Sequence, residues 1–242
     1  QERRVRVGDF VTSYLCSMRV SDQSPDVSEP TQQSAEYWAD APLYGSSLVA
    51  AFEARAAELG NERLYTWLRA NLSEEATLSY AELRSRALSV CVALRRTWGV
   101  PQQGRAMLIY PPGLELLVAF FGCNYAAVIA VPYYPPVLPT SPMPSAAARR
   151  TLGEGIDKVA RIYASCAPSL LLSTASYLRL RWLSSKLLGA GTADQPTAWP
   201  EGWTWRSSDD VKEARGADAD WLASWLAARA GAGAGTEAAE AA

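Results

Sequence analysis

Histidine is absent from all 242 residues. Any chemistry therefore has to come from carboxylates, lysines, hydroxyls or a bound group, and Ser-His-Asp, Cys-His and histidine-metal mechanisms are excluded. The remaining clusters of reactive types are few. Asp209-Asp210 is a pair of carboxylates without a third ligand at metal spacing, and reads as a solvated helix start. Gly153-Glu154-Gly155 lacks the third glycine of a dinucleotide fingerprint and follows no strand, so it reads as a helix approach. The alternating glycines from Gly231 to Gly235 lack the lysine and hydroxyl that hold phosphate and magnesium. Trp182, flanked by Arg179 and Arg181, has the chemistry to stack a base, but a packing or snorkelling role outweighs it. Pro136 to Pro139 has P-x-x-P spacing, which an SH3-like partner reads; its place between a strand and a helix favours a structural connection. Cys16, Cys91, Cys123 and Cys166 form no C-x-x-C pair, and the later three, set in apolar runs, read as buried free thiols. No residue is assigned as catalytic or as a metal ligand, and the cofactor-binding residues are unknown.

The elements that would position any site are clearer. A stripe from Leu48 to Leu59, ended by Gly60, predicts a helix, and Arg63 to Leu68 alternates as a strand. Ser79-Tyr80-Ala81-Glu82 is a capping box, a feature that contributes about 1 kcal/mol, followed by a helical stripe to Trp98 and a stop at Gly99. Ala106 to Tyr110 reads as a buried strand, Gly113 to Ala126 as a helix, and Val128 to Val131 as a strand halted by Pro132. A proline-rich connection from Pro132 to Pro144 precedes a helix through Ile156, Val159, Ile162 and Cys166. Ser169 to Ser173 is a strand and Tyr177 to Leu188 a helix. Trp199, Trp203 and Trp205 read as an aromatic loop, and Asp218 to Ala228 as a short helix. Strands alternating with crossover helices predict an α/β fold with a mostly parallel sheet. The domain plan is a disordered arm or linker over 1–42, an α/β unit over 43–212, a short helix over 213–230 and a disordered Ala/Gly tail over 231–242.

Composition bounds the function. The chain is 49% hydrophobic and 20% charged with a net charge of -2, a globular balance with no basic excess for nucleic acid. No apolar run approaches the roughly 20 residues of a membrane span. No secretory leader is visible and the cysteines suit a reducing compartment, so a cytoplasmic setting is expected.

The order of segments resembles a known family. Leu78-Ser79-Tyr80-Ala81-Glu82-Leu83 resembles the L-T-Y-x-E-L segment of AMP-dependent synthetases, the adenylate-forming ligases. Phe121 to Pro132 (FGCNYAAVIAVP) is similar to a second signature in which a YAG helix end leads into V-x-V-P. Tyr110-Pro111-Pro112-Gly113 and Tyr134-Pro135-Pro136 look like the fatty acyl-AMP ligase branch. Lys158 to Ile162 and Leu170 to Thr174 are similar to its next helix and strand. The resemblance covers residues 46 to 212. Ala127 replaces the YAG glycine, and Gly104-Arg105 lacks an intervening aspartate.

That resemblance implies a partial N-terminal subdomain of an adenylate-forming enzyme. The intact enzyme would join a fatty acid to ATP as acyl-AMP and pass the acyl group to acyl carrier protein or coenzyme A, with ATP and magnesium as cofactors and the remainder of the ligase domain as partner. The family's phosphate loop, acidic magnesium segment, ribose-binding aspartate and C-terminal lysine have no counterpart here, so no cofactor is expected to bind this fragment and the chain alone is expected to be inactive. The alternative is a non-catalytic α/β protein-interaction module. A sheet cut part-way would also expose an edge and apolar helix faces, which predicts poor solubility.

Overall fold

Ser79 shows how this sequence starts a helix. Its Oγ accepts from the Glu82 amide at 3.2 Å, while Glu82 accepts from the Ser79 amide at 2.8 Å, so the capping box is formed as expected. The computed structural model describes residues 47–139, 143–188, 191–192, 195–196 and 198–240. The expected arm over 1–42, Cys16 and the start of the unit at 43 lie outside these residues.

The described elements are α1 (Leu48–Leu59), β1 (Arg63–Leu68), β2 (Glu74–Ser79), α2 (Tyr80–Val92), β3 (Arg105–Ile109), α3 (Glu115–Tyr125), β4 (Ile129–Tyr133), α4 (Ala146–Cys166), β5 (Leu170–Ser173), α5 (Ala175–Leu188), the two-residue strands β6 (Gly191–Thr192) and β7 (Gln195–Pro196), β8 (Trp205–Ser207) and α6 (Ala217–Glu240). One parallel sheet carries the order β4-β3-β5-β8. The two sets of alternating residues on β3 and β5 enter different cores. Ala106, Leu108, Tyr110, Leu170 and Leu172 pack with α1, α2, α3 and Leu222 of α6. Met107, Ile109 and Leu171 pack with Leu152, Ile156 and Val159 of α4 and Tyr177 of α5. Burial on both faces is what a parallel sheet with crossover helices requires, so the α/β expectation holds.

Several elements differ from their sequence reading. The strand over 63–68 is not in the parallel sheet; it forms an antiparallel hairpin with β2, which sequence pattern missed because Glu74, Glu75, Ala76 and Thr77 are all exposed. A strand does form at Trp205–Ser207, inside the stretch read as an aromatic loop. β4 continues through Pro132 to Tyr133, because among the described residues β4 pairs only with β3 and an edge strand tolerates a missing N–H. Gly153 and Gly155 sit inside α4 rather than before it; a Cβ on Gly155 would lie 2.9 Å from Pro136, so the proline connection uses the bare backbone. Pro135 and Pro136 are buried, and Tyr177 Oη donates to the Pro136 carbonyl at 3.2 Å, which makes the tract a structural connection as expected. The short helix and Ala/Gly tail are one helix running to Glu240; alanine's high helix propensity outweighs a cost of about 1 kcal/mol per glycine there.

The helix begun by Ser79 changes its hydrogen-bond pattern at Ala93–Thr97, where it widens into a π-turn, and ends at Gly99 with φ 65°. That turn presents Arg95 and Arg96 to α6. Arg96 Nη1 donates to Asp218 at 2.7 Å and to the Ala217 carbonyl at 2.8 Å. Trp225 Nε1 and Arg229 Nη1 donate to the Tyr125 carbonyl at the end of α3, a set of C-terminal acceptors that α3 leaves unpaired by itself.

Cys91 and Cys123 are buried in the first core, as expected, whereas Cys166 at the end of α4 is only partly covered. Burial pushes both buried thiols up to about 12, and it raises Tyr125 and Tyr177 as well. A raised folded value means these neutral groups stabilise the fold fully below their unfolded values, and that stabilisation is lost as pH rises above them. Urea unfolding should therefore be flat near neutrality and weaken progressively above about pH 8.5, the ordinary thiol value; constant stability to pH 11 would contradict this account. A second expectation comes from α3 against α2. A Cβ on Gly122 would lie 2.6 Å from Val90 Cγ1 and 3.2 Å from the Ala87 carbonyl. Gly122→Ala should cost about 1–3 kcal/mol as an overpacked contact, read as a lower urea midpoint at unchanged slope.

Candidate functional site

In an open parallel sheet, functional groups gather beyond the carboxyl ends of the strands. Here those ends deliver Tyr110 after β3, Ser173 at the end of β5, and Ser207, Ser208 and Asp209 from β8. They are tied to one another. Tyr110 Oη and Ser208 Oγ share a buried hydrogen bond of 2.5 Å, Ser173 Oγ donates to the Ile109 carbonyl at 2.5 Å, and the Ser208 amide donates to the Ser173 carbonyl. Burial holds the Tyr110 phenol well above its usual range, partly offset by Ser208. It is a neutral positioning group, not an acid.

Asp209 closes this corner. Its Oδ1 accepts from the Ala175 amide at 2.7 Å and from Ser207 Oγ at 2.7 Å. The Asp209-Asp210 pair is therefore not the start of its own helix. Asp209 satisfies an orphan amide in the first turn of α5, where a carboxylate is also favoured by the helix dipole. Asp210 accepts from the same Ser207 hydroxyl at 3.1 Å.

Beside the Tyr110–Ser208 bond lies a cleft of about 260 Å³ lined by Ser85, Arg86, Ser89, Ser208, Asp209 and Glu213 with Val118 and Val211. Arg86 is already engaged, its Nη2 lying 2.6 Å from both oxygens of Glu115. Ser89 Oγ donates back to the Ser85 carbonyl. The lining is thus hydroxyl-rich, with one paired cation and two carboxylates. Among the described residues no serine lining the cleft hydrogen-bonds to a carboxylate; Ser89 bonds a backbone carbonyl and Ser208 the Tyr110 phenol, so these hydroxyls are not set up as activated nucleophiles.

The other sequence candidates are not brought to this cleft. Trp182 is 60% exposed on α5, with Lys186 Nζ 6.0 Å from its ring centre. Arg181 turns away from it to Trp199 and Trp205. Among the described residues no group of three His, Cys, Asp or Glu is placed to hold a metal. Tyr110, Ser173, Ser208 and Asp209 as a linked set were missed. Tyr110-Pro111-Pro112-Gly113 was read only as a family marker, and a polar residue closing each of two short apolar runs was the available signal.

A family model described as AMP-binding enzyme matches residues 52–173. The medium-chain-fatty-acid–acyl-carrier-protein ligase JamA of Moorena producens is 37% identical over 91 residues, which are 38% of this chain and 15% of that protein. Disco-interacting protein 2 homolog A of Mus musculus is 29% identical over 157 residues, 65% of this chain and 9% of that protein. The crystal structure of fatty acid AMP ligase from Legionella pneumophila superposes with a TM-score of 0.51 at 28% identity, covering 69% of this chain and 24% of that one. The chain thus spans less than a quarter of the length of each of these three proteins.

The Tyr110–Ser208 bond joins β3 to the segment after β8. Tyr110→Phe and Ser208→Ala should each cost about 1–2 kcal/mol, and a double-mutant cycle should return a favourable coupling on the order of 1 kcal/mol. Additive single effects would mean that the two hydroxyls do not work as a pair.

Proposed function

The chain belongs to the AMP-binding enzyme family, and on that premise we propose that it is the N-terminal part of an acyl-activating ligase of the fatty acyl-AMP type. The observation that carries this reading is a coincidence of position. The family match over residues 52–173 runs from within α1 to the end of β5, and the chain is similar both to a carrier-protein ligase at 37% identity and to a fatty acid AMP ligase at 28%. The whole enzyme joins a fatty carboxylate to the α-phosphate of ATP, giving acyl-AMP and releasing pyrophosphate, and then hands the acyl group to the thiol of acyl carrier protein or coenzyme A, releasing AMP. Among the described residues no helix is long and apolar enough to cross a membrane; a cytoplasmic setting for the whole enzyme is part of the proposal and rests on the family reading.

The residues of this chain do not fit ATP and magnesium by themselves. A triphosphate needs uncommitted cations or a row of free amides. The cleft instead offers Asp209, Glu213 and an Arg86 already paired with Glu115. The N-terminus of α5 is taken by Asp209, and that of α3, which lines the cleft through Val118, carries Glu115 in its first turn. This chain's contribution to the reaction is accordingly the scaffold: a sheet corner and cleft wall against which the phosphate-gripping part of the ligase is set.

A second reading has its own support. Disco-interacting protein 2 homolog A, named for binding another protein, aligns over a longer stretch of this chain than the carrier-protein ligase does. On that reading the α/β layer serves protein contacts and no adenylation occurs.

One chimera separates the two. Residues 52–173 are exchanged for the matching segment of the Moorena ligase, and ATP–pyrophosphate exchange with a medium-chain fatty acid is measured. Activity within about a hundredfold of the parent, a loss of roughly 2.7 kcal/mol in transition-state stabilisation, is the expected outcome. A soluble, cooperatively folded chimera with no exchange would count for the interaction module. The present chain alone should show neither exchange nor magnesium-dependent ATP binding by calorimetry.

A further inference from the structure

On the α4–α5 face, at the start of β8, an arginine is enclosed by aromatic rings without an anion. Trp199 meets Trp205 edge-on with ring centroids 5.2 Å apart and Trp203 at 6.1 Å, and Tyr163 of α4 stacks on Trp203 at 4.3 Å. Arg181 of α5 enters this cluster. Its Cζ lies 4.7 Å from the ring centre of Trp205 and 5.9 Å from that of Trp199.

Among the described residues, two donors at this corner have no acceptor. Arg181 Nε and Trp205 Nε1 are both buried and both without an acceptor. Among the described residues Arg181 is in no ion pair, and burial lowers its guanidinium from the ordinary value. A cation over an indole gains about 0.5–2 kcal/mol, whereas each buried donor left unpaired costs about 1–3 kcal/mol. The rings therefore do not settle the account of this arginine. Arg95 gives the contrast within the same molecule: its Nε is also unpaired and its Cζ lies 4.9 Å from the Trp225 ring, but its Nη1 donates to the Val100 carbonyl. Buried polar groups in folded proteins are satisfied almost without exception, so an orphan pair of donors beside an unneutralised cation marks a missing acceptor.

We infer that the corner formed by Arg181, Trp205 and Trp199 is a binding site for an oxyanion, a carboxylate or a phosphate, whose oxygens accept from Arg181 Nε–H and Trp205 Nε1–H. A guanidinium suits such a ligand because its donors match the spacing of carboxylate and phosphate oxygens. The site is separate from the cleft at Ser208 and Asp209, which lies on the α2–α3 face and beyond the other end of β8. It does not depend on the chain being part of a ligase.

The full chain is titrated with sodium phosphate, sodium acetate and sodium chloride at matched ionic strength, with calorimetry and tryptophan fluorescence as readouts. Saturable binding of phosphate or acetate, absent with chloride, is expected. Whichever of the two binds more tightly identifies the ligand as phosphate-bearing or carboxylate-bearing. Arg181→Met should weaken it by about tenfold or more. Trp205→Phe, which keeps the ring face and removes only the N–H, should also weaken it while leaving circular dichroism and the melting temperature close to those of the parent. If Arg181→Met does not fold, the Trp205→Phe comparison decides. No saturable binding of either anion to the folded chain, or undiminished binding to the folded variants, would overturn the inference.

Discussion

Every residue of β5 is buried, and this constraint governs the rest of the structure. A four-residue strand with no solvent-facing side needs a partner on each edge and a helical layer on each face. β3 and β8 supply the edges, and the helices supply the faces. Leu170 and Leu172 commit the chain to α1–α3 on one side, Leu171 to α4 and α5 on the other. Removing 100 Å² of apolar surface from water is worth about 2.5 kcal/mol, so a strand of consecutive leucines, unlike an amphipathic one, stabilises only a fold that covers both faces.

Polar groups are left for the ends. Ser173 is the last residue of β5 and is fully buried, which forces its hydroxyl onto the Ile109 carbonyl. The same logic pairs Tyr110 with Ser208 and brings Asp209 to the first turn of α5. The cleft at this corner follows from strand ends that must satisfy their hydrogen bonds while the helices diverge around them. At the opposite side of the molecule α6 performs a comparable service for α3: Trp225 and Arg229 take up the Tyr125 carbonyl, and Arg95 caps the Val100 carbonyl beneath Trp225. Residues well beyond the family match at 52–173 thus complete a helix that lies within it.

The parts of the fold legible in sequence were those where one local signal suffices. Ser79 and Glu82 specify a helix start through contacts within one turn, and runs such as Ala106 to Tyr110 are too short and too apolar for anything but a covered strand. β2 was illegible because Glu74 to Thr77 carry no buried side chain; the hairpin rests on backbone pairing and on Arg63 with Glu74. β8 was illegible for the opposite reason. Trp205 and the tryptophans before it announced burial, but nothing local says that Trp205 lies beside Leu171, a pairing that closes more than thirty residues of chain. The candidate site shared that fate, since its hydroxyls and carboxylate meet only when three strands align their carboxyl ends.

Electrostatics sharpen the distinction between what this unit does and what it lends. Three of its arginines hold helices together: Arg84 on Glu53, Arg86 on Glu115, Arg96 on Asp218. Such part-exposed pairs contribute little stability each, but they consume the cations that an anionic substrate would otherwise meet. The cleft beside Ser208 accordingly meets an anion with one arginine already paired and two carboxylates. Arg181 departs from that pattern, held by indole faces rather than by a carboxylate. Among the described residues it is in no ion pair, and its Nε is buried without an acceptor.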